Sequence, residues 1–416
     1  MTPLAAEYDN MLRCIRCAAC LTSCPTYVIS HKEEEGPRGR IAIMRAIVEG
    51  HLEVTPDALE HLDNCLLCEA CSHVCPTGVE MERLGTAFRE DMSQRRAATG
   101  KSLSLAERLA YNWLFGDLGH FRAAARLMRF YQQSGLQWLA RHLGIVRLLG
   151  MRDVERLLPD MPSRFVVPQN QKIGSGDPVQ VFAGCIMSTA FAPTAEHTAE
   201  LAAAFGCEAS FPEGQVCCGA LQVHAGEADR ARELARANLD AFAGEAPIVV
   251  NAAGCGAMLK HYGQLLPEDP RAQAFAARVR DVSELLAGRQ PGKPPRPIER
   301  TVVLQDACHL LHAQRVDRAP RALLKAIPGL DLREMAEPGL CCGSAGIYNV
   351  THRANSAELK RRKCANIEQT GAGTVLTGNP GCLLQMRAGL PGGVHVEHIV
   401  DLLWEAFCDA EPASRA

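Results

Sequence analysis

The sequence lacks the segments that would mark a membrane-spanning or exported protein. No run of about 18 or more uncharged apolar residues occurs. The first residues, Met1 to Glu7, are polar and lack the apolar stretch of a signal peptide. The formal charge of −3 leaves no global field that would attract nucleic acid or anionic lipid. We therefore expect neither a membrane span nor a nucleic-acid partner.

Two common nucleotide-binding motifs are also missing. No G-x-G-x-x-G follows a predicted strand, and no P-loop is present. Because these glycine-rich turns are what hold dinucleotides and nucleoside phosphates, a self-contained dehydrogenase or phosphotransferase is not expected.

Cysteine is in excess, with 19 among 416 residues. An odd number of cysteines in a long chain without an export signal argues against a secreted disulfide scaffold. In a reducing compartment, clustered thiols are more often metal ligands, so we expect a cytoplasmic metalloprotein. The length predicts two or three domains, and 47% hydrophobic with 22% charged residues is ordinary for a globular chain.

Eight of the cysteines form two nearly identical runs with the spacing C-x2-C-x2-C-x3-C-P, one over 14–25 and one over 65–76. Disulfides are disfavoured because cysteines on one tight loop rarely meet the required geometry in pairs. Structural zinc usually draws on separated C-x2-C pairs or on Cys/His mixtures. The spacing is that of bacterial two-cluster ferredoxins, so it predicts two [4Fe–4S] clusters.

In that ferredoxin arrangement the fourth cysteine of each run binds the other cluster. The first cluster would take Cys14, Cys17, Cys20 and Cys75, and the second would take Cys65, Cys68, Cys71 and Cys24. Pro25 and Pro76 would end the loops by fixing φ and removing a backbone donor. Two neighbouring clusters indicate electron conduction.

A turn and a helix are predicted between the two runs. Gly36-Pro37 is a turn signal, and apolar residues then recur at helical spacing up to Val48. Arg38 and Arg40 have two interpretations. They either stabilise the negative charge of a nearby cluster or simply anchor the turn.

After a loose segment around Pro159 to Pro178, the pattern becomes that of alternating strands and helices. Strands are predicted over 179–185, 207–211 and 247–251, with a helix over 195–205. A second set begins with a strand over 301–308, and alternation of this kind implies parallel sheets.

Four cysteines recur in the same order in these two sets. Cys308 lies 123 residues after Cys185, Cys341 lies 124 after Cys217, and Cys382 lies 127 after Cys255. Cys218 and Cys342 complete the sets, so we infer an internal duplication. The cysteines fall near strand ends, where open α/β sheets bind ligands, and are candidates for a further metal or redox site. The cysteines without a counterpart are interpreted as structural: Cys207, Cys364 and Cys408.

Taken together, these motifs resemble those of the glycolate oxidase iron–sulfur subunits. The wider group has two ferredoxin-type runs followed by two cysteine-rich "CCG" domains. It includes iron–sulfur subunits of anaerobic glycerol-3-phosphate dehydrogenase, a lactate-utilisation protein and a heterodisulfide reductase subunit. Besides the two runs, the resemblance is carried by Gly36-Pro-Arg-Gly-Arg40, His61-Leu-Asp-Asn-Cys65, Cys217-Cys-Gly-Ala220, Gly254-Cys-Gly-Ala257, Tyr262-Gly263, His312-Ala-Gln314 and Leu340-Cys-Cys-Gly-Ser-Ala-Gly346.

The resulting fold prediction is mixed. A helical, two-cluster ferredoxin-like domain over 1–95 precedes a helical linker over 96–175, in which one or two amphipathic helices are predicted between Trp113 and Leu149. Two α/β CCG domains with parallel sheets would follow over 176–290 and 298–416.

The resemblance implies a partner. An FAD-containing subunit would oxidise a 2-hydroxy acid, glycolate, and pass electrons to this chain, which would not be catalytic alone. A peripheral position on the inner face of the membrane and association with quinone are also expected. The alternative is a disulfide or quinone reductase acting at the CCG cysteines, and a third hypothesis is a zinc-binding assembly module.

The chain departs from the pattern of the heterodisulfide reductases at one position in each CCG unit. Their units end in C-x2-C, whereas Met258 follows Cys255 here and Gln385 follows Cys382. Each unit therefore keeps four thiols, which weakens the disulfide reductase alternative. His309 and His312 are either ligands or proton carriers, or they cap the helix after the strand.

Overall fold

The computed structural model describes residues 1–98, 109–148 and 155–408. The N-terminal part is helical, as predicted. A 3-10 turn covers Glu33–Glu35, and the helices are α1 (Pro3–Ala6), α2 (Tyr8–Leu12), α3 (Pro25–Ser30), α4 (Pro37–Val48), α5 (Pro56–Asp63), α6 (Ala70–His73) and α7 (Met81–Ala98).

Helix α4 forms where the turn signal and the apolar spacing predict it. Pro37 occupies the first turn, where its missing N–H is not needed. Ile41 and Met44 are buried against Leu84 and Phe88 of α7 in one apolar cluster. Cys14 of the first run and Cys65, Cys71 and Cys75 of the second pack against this core, so α4 and α7 support both runs.

The linker folds into three short helices where one or two were predicted. A π-helical turn (Leu109–Leu114) is followed by α8 (Leu118–Gln133), α9 (Leu136–His142) and α10 (Ile145–Leu148). The extra breaks come from glycines with positive φ at 135 and 144. Leu149, the predicted end of this region, lies outside the described residues. Within them, no helix is both long and apolar enough to span a bilayer.

The first sheet has the strand order β1-β3-β2-β4-β5, with β1 antiparallel to β3 and all other pairs parallel. Its strands are β1 (Lys172–Gly174), β2 (Asp177–Phe182), β3 (Cys207–Ser210), β4 (Ile248–Val250) and β5 (Val279–Asp281). The helices between them are α11 (Ala192–Ala204), α12 (Ala220–Ala225), α13 (Ala228–Ala241), α14 (Ala253–Lys260), α15 (Tyr262–Leu265), α16 (Pro270–Arg278) and α17 (Val282–Ala287).

The second sheet is fully parallel, with the order β7-β6-β8-β9. Its strands are β6 (Arg300–Leu304), β7 (Leu330–Arg333), β8 (Thr374–Thr377) and β9 (His395–His398). A π-helical turn covers His309–Ala313, and the helices are α18 (Arg318–Lys325), α19 (Tyr348–Thr351), α20 (Arg353–Glu368), α21 (Pro380–Arg387) and α22 (Ile399–Phe407). This order matches β3-β2-β4-β5 of the first sheet, and the predicted mixed fold with duplicated parallel sheets is confirmed.

The strands that precede the cysteines are shorter than predicted. β2 ends at Phe182 and β6 at Leu304, although strands were expected to run to Cys185 and Cys308. Gly184 has φ of +56°, and the side chain of Gln215 accepts a hydrogen bond from the N–H of Ala183 at 2.8 Å. The backbone therefore leaves the sheet before the cysteine, which places the thiol in a turn beyond the strand end.

The two sheet units share one core. Helices α11 and α22 pack together, where His197 Nδ1 lies 2.8 Å from Asp401 and the His197 ring stacks on Trp404 with centroids 3.9 Å apart. At the strand ends, the N–H of Ala253 donates to the carbonyl of Gly378 at 3.0 Å. The carboxyl ends of the two sheets therefore face each other across a short distance.

The N-terminal helices dock on both units. Asn64 accepts hydrogen bonds from Tyr348 and, at 2.9 Å, from Asn355 of the second unit. Arg89 of α7 donates to the carbonyl of His224 in the first unit at 3.0 Å. Since Asn64 directly precedes Cys65, this contact ties the second cysteine run to the second sheet unit.

A glycine follows each Cys-Cys pair and needs a left-handed backbone. Gly219 has φ of +86° and Gly343 has φ of +81°. A Cβ at 343 would also lie 3.0 Å from the backbone oxygen of Ser356. The turn that presents Cys341 and Cys342 therefore requires glycine.

We predict that Gly343→Ala destabilises the chain by about 1–3 kcal/mol, because alanine is strained at this φ and contacts Ser356. Denaturant unfolding of the metal-loaded protein would measure the change. Gly373→Ala is the control, since a Cβ there has no neighbour within 4 Å. Equal stability of the two variants would contradict the requirement for glycine.

Candidate functional site

The two cysteine runs have the same unusual backbone. Residues just before and just after the second cysteine of each run have positive φ, namely Arg16 (57°) and Ala18 (68°) in the first run and Leu67 (51°) and Glu69 (61°) in the second. Left-handed residues alternating with right-handed ones point successive N–H groups inward and form concave anion-binding nests, which are common at iron–sulfur sites. The backbone thus suits an anionic cluster held by thiolates.

The first run borders a small cavity near the surface. Cys17 is exposed, and Ile15 beside it is 65% exposed. The thiols around this cavity come from both runs: Cys14, Cys17, Cys20, Cys71 and Cys75. The fourth cysteine of the second run thus lies with the first three of the first run.

The second run borders a similar small cavity, deeper in the protein. Its thiols are those of Cys24, Cys65, Cys68 and Cys71. Here the fourth cysteine of the first run lies with the second run. Cys71 borders both cavities, so the two are neighbours.

Thiols from both runs surround these two neighbouring cavities. Iron–sulfur clusters are held by cysteine thiolates, four for a [4Fe–4S] cluster, so the residues present fit such clusters.

Arg40 lies at the second cavity. Its contacts agree with both interpretations made from the sequence, a turn anchor and a positive charge near a cluster. Its side chain is 1% exposed, pairs with Glu35 at 2.9 Å and donates to the carbonyl of His61 at 2.7 Å. Its Nη1 is 4.0 Å from the sulfur of Cys24. Burial lowers the pKa of Arg40, but the negative charges of Cys65, Cys24 and Glu35 outweigh burial and raise it overall. Arg40 therefore anchors the turn and places a fixed positive charge beside the thiols.

Arg38 lies at the first cavity and is more exposed. It forms an ion pair with Glu33, and its Nη1 donates to the carbonyl of Arg16 at 3.1 Å. It thus braces the cysteine loop.

In the first CCG unit, four thiols form a chain of close contacts. The sulfurs of Cys185 and Cys217 are 3.8 Å apart, and those of Cys218 and Cys255 are 3.4 Å apart. Hydrogen bonding from Cys185 lowers the pKa of Cys217 well below its ordinary value. Cys217 is therefore the thiol most readily present as a thiolate, the form that binds metal.

Two polar side chains fix the Cys217-Cys218 backbone. Asn238 donates to the carbonyl of Cys217 at 3.0 Å, and Tyr262 donates to the carbonyl of Cys218 at 2.9 Å. Both are fully buried. Nothing in the spacing of cysteines pointed to Asn238, whereas Tyr262 belongs to a motif quoted above.

The second CCG unit repeats this geometry. The sulfurs of Cys308 and Cys341 are 3.8 Å apart, and those of Cys342 and Cys382 are 3.4 Å apart. A hydrogen bond from Cys308 lowers the pKa of Cys341 well below its ordinary value. The two sets of thiols paired by the duplication are thus each brought together.

Lys363 adds a buried positive charge near the second set. It is 0% exposed and donates to the carbonyls of Glu337 at 2.8 Å and Pro338 at 2.9 Å. Burial lowers the pKa of Lys363, while the charges of Cys342 and its neighbours oppose that shift. Sequence patterns gave no sign of this lysine, because it lies mid-helix among other basic residues.

Met258 and Gln385, which replace the last cysteine of each unit, are both buried. Gln385 donates to the carbonyl of Cys342 at 3.2 Å and to the hydroxyl of Ser356 at 3.0 Å. Met258 packs in the apolar cluster around Cys217 and Cys218. Gln385 therefore supports the cysteine turn, and each unit offers four thiols.

The histidines after Cys308 do not cap the helix. His309 Nε2 lies 2.9 Å from the carbonyl of Leu67 in the second cysteine run, and His312 Nε2 lies 2.8 Å from the carbonyl of Gly339. The helix-cap interpretation is therefore wrong, because both rings bond to backbone of distant segments. His309 instead links the second run to the second CCG unit.

The second run and the second CCG unit meet through their thiols. Cys68 lies in one buried apolar cluster with Cys308 and Cys341, closed by Leu66, Tyr348 and Leu359. Burial raises the pKa of Cys68 well above its ordinary value, and the charge of Cys341 adds to the effect.

A group of titratable side chains fills the junction of the three parts. Burial raises the pKa of Glu69 to about 8 and that of Glu82 to about 7. His261 lies between them, with ring nitrogens 4.0 Å from Glu69 and 3.7 Å from Glu82. Burial lowers the pKa of His224 to about 3, so this ring is neutral. No sequence pattern indicates that these residues lie together, because they meet only when three distant segments pack.

The cysteines interpreted as structural are away from these sets. Cys207 is fully buried in strand β3, and Cys364 is buried in α20. Cys408 is half-buried after α22. All 19 cysteines lie in the described part of the chain, and none forms a disulfide there.

Family models match the parts that carry these sites. A 4Fe-4S dicluster domain matches residues 10–79, and a cysteine-rich domain matches residues 179–260 and again 302–387. The chain is therefore an iron–sulfur protein with a duplicated cysteine-rich domain, and the prediction of two [4Fe–4S] clusters is confirmed. A third model, the linker region of the glycolate oxidase iron–sulfur subunit, matches residues 102–158.

Whole-length relatives agree. The chain is 39% identical to the probable glycolate oxidase iron-sulfur subunit of Bacillus subtilis over 96% of this chain and 95% of the relative. It is 30% identical to the glycolate oxidase iron-sulfur subunit of Escherichia coli over 97% and 96%. A fumarate reductase (CoM/CoB) subunit of Methanothermobacter marburgensis is 28% identical over 95% and 72%. The chain belongs to the family of glycolate oxidase iron–sulfur subunits.

The raised pKa of Glu82 predicts a pH-dependent stability. The folded chain keeps a proton on Glu82 up to about pH 7, whereas the unfolded chain releases it near the ordinary value of 4.5. The contribution of Glu82 to stability is therefore full below about pH 4.5 and falls by about 1.4 kcal/mol per pH unit until pH passes about 7.

We expect Glu82→Gln to remove this fall, so that its unfolding free energy exceeds that of the unsubstituted chain at about pH 8 and approaches it towards about pH 5. Unfolding followed across this range would measure the difference. Glu196→Gln is the control, because Glu196 is exposed on α11. Parallel pH profiles for Glu82→Gln and the unsubstituted chain would refute the prediction.

Proposed function

We propose that this chain is the electron-transfer subunit of a flavin-dependent glycolate dehydrogenase, which receives electrons from an FAD-containing partner and passes them to an acceptor. One observation carries the proposal: thiols of both runs border two neighbouring cavities, and Cys68 packs in one buried cluster with Cys308 and Cys341 of the CCG region. The names of the relatives support the substrate. Within the sequence no dinucleotide-binding motif competes with this role.

The ligands are proposed from the two cavities. The first cluster is held by Cys14, Cys17, Cys20 and Cys75, and the second by Cys65, Cys68, Cys71 and Cys24. The thiols that border each cavity support this assignment, and Cys71, which borders both, is assigned by the ferredoxin spacing. We propose the domain boundaries expected from the sequence: 1–95, 96–175, 176–290 and 298–416, the last extending past the described residues.

The thiol sets are ordered from the surface inward. Cys17 is exposed, Cys24 and Cys68 are buried, and Cys68 adjoins Cys308 and Cys341. Bound clusters supply one-electron redox chemistry, so this order of thiols defines the proposed electron path. The chain's own residues exclude water from the inner part and hold positive charge beside it through Arg40.

The paired CCG thiols are proposed as an additional metal or redox site in each unit. Four close thiols, one of lowered pKa, support metal binding. The disulfide or quinone reductase alternative is less supported, because each unit lacks the fifth cysteine and Gln385 is committed to hydrogen bonds.

We also propose a peripheral position on the inner face of the membrane, with quinone as the final acceptor. Among the described residues, no helix is long and apolar enough to span a bilayer. The contact to test is attachment at the membrane surface.

The crossed assignment predicts which substitutions share a phenotype. Cys75→Ser should remove the same spectroscopic signal as Cys17→Ser, and Cys24→Ser the same signal as Cys68→Ser, each with a loss of about four irons per chain. Electron paramagnetic resonance of reduced samples and iron analysis would measure this. Cys207→Ala should keep both signals. If Cys75→Ser instead matched Cys68→Ser, each run would bind its own cluster.

The partner requirement is tested with purified, anaerobic protein. The chain alone should hold about eight irons or more, show broad absorbance near about 400 nm, and oxidise no glycolate. Adding the FAD subunit with glycolate should bleach that absorbance. Glycolate turnover by the chain alone would refute the proposal, and zinc in place of iron would select the assembly-module hypothesis.

A further inference from the structure

The linker helices present apolar side chains that the described part of the chain does not cover. These residues lie on α8, α9 and α10, which pack against one another. Single exposed apolar residues are ordinary, but a group of this size marks an interaction surface. The linker face, as we call it, comprises Leu127 (70% exposed), Phe130 (61%), Trp138 (63%), Leu143 (64%) and Leu148 (87%).

The same helices are strongly basic. Residues 118–148 contain five arginines and no Asp or Glu, although the whole chain carries a formal charge of −3. On α8 the arginines recur at helical spacing, as Arg122, Arg126 and Arg129, beside Leu127 and Phe130. Arg126 forms no ion pair within the described residues. This local excess of positive charge is complementary to an anionic partner.

A groove lies along this face between α8 and residues 163–167. It has a volume of about 420 Å³ and is bordered by Arg126, Arg129, Phe130 and Phe165 among others. Arg129 is held in place by donating to the carbonyl of Ser163 at 3.2 Å, and its buried Nε has no hydrogen-bond partner in the structure. Two guanidinium groups beside two phenyl rings suit a phosphate joined to an apolar chain.

We propose that the linker face binds the surface of an anionic phospholipid membrane, with a headgroup phosphate in this groove and Leu127, Phe130 and Trp138 inserted at the headgroup level. Basic helices with exposed aromatic and aliphatic residues lie in the membrane interface in this way. The proposal deepens the peripheral attachment proposed above by naming the surface responsible.

The shape of the face favours lipid over an acidic protein. Its apolar residues are spread over three short helices separated by the turns at Gly135 and Gly144. Recognition of a protein requires a complementary rigid surface, such as a groove for one helix or a free strand edge. A bilayer has no fixed relief and accommodates such an uneven face.

The test is co-sedimentation of the iron-loaded, full-length chain with vesicles of phosphatidylcholine alone or mixed with phosphatidylglycerol. Binding is expected only with the anionic lipid, and it should weaken as salt rises. Arg126→Glu should weaken binding by about fivefold or more, since each arginine near an anionic surface contributes about that factor. Leu127→Ser should also weaken binding by removing an inserted side chain.

The matched controls are Arg318→Glu on α18, which makes the same charge change at another exposed position, and Leu52→Ser, which removes another exposed leucine. Both should bind as the unsubstituted chain does. Absence of binding to anionic vesicles, or an equal loss in Arg318→Glu, would overturn the proposal. So would variants of the linker face that keep vesicle binding but lose co-elution with the flavoprotein, because the face would then bind an acidic protein.

The readout is independent of electron transfer. Iron content and absorbance of the same samples report on the clusters, so a chain that sediments with vesicles but carries no reducible iron would refute the proposed function and leave the membrane surface intact. A chain that holds its clusters but does not bind anionic vesicles would refute the proposed membrane surface and leave the proposed function standing.

Discussion

The packing that brings thiols of both N-terminal runs to the same two neighbouring cavities is the constraint on which the rest of the structure depends. Cys75 lies at the cavity bordered by the first run and Cys24 at the cavity bordered by the second. Helices α4 and α7 form the apolar core against which cysteines of both runs pack. The apolar core of this part therefore sets the positions of the sulfurs. The second sheet unit is attached to the second cysteine run through hydrogen bonds of Asn64 and His309.

Much of this arrangement could be predicted because it repeats. Residue spacing can be read directly from the sequence. It was enough to predict the two runs, the duplicated order of strands and the paired CCG thiols. Strand ends were placed too late, since the turn after β2 is set by Gln215, more than thirty residues away. The junction of Glu69, Glu82 and His261 could not be foreseen, because it forms only when three distant segments pack together.

The two CCG units have diverged where their chemistry would differ most. Both keep four thiols and a glycine with positive φ, but the support around them is not the same. Asn238 and Tyr262 hold the first Cys-Cys pair, whereas Gln385 and the buried ammonium of Lys363 accompany the second. A lysine held in its charged form would stabilise negatively charged sulfur in a low-dielectric setting, whereas burial lowers the pKa of Lys363 and opposes that charge. The two units, of which the second also adjoins Cys68, therefore differ in the electrostatic setting of their thiols.

The four left-handed residues of the cysteine loops link metal loading to the stability of the fold. Arg16, Ala18, Leu67 and Glu69 adopt a backbone that costs each of them about 1–2 kcal/mol. Inward-pointing N–H groups bound to an anionic cluster would offset that cost. We expect a chain without its iron to lack this compensation, so the bound clusters would stabilise the folded loops as well as carry electrons.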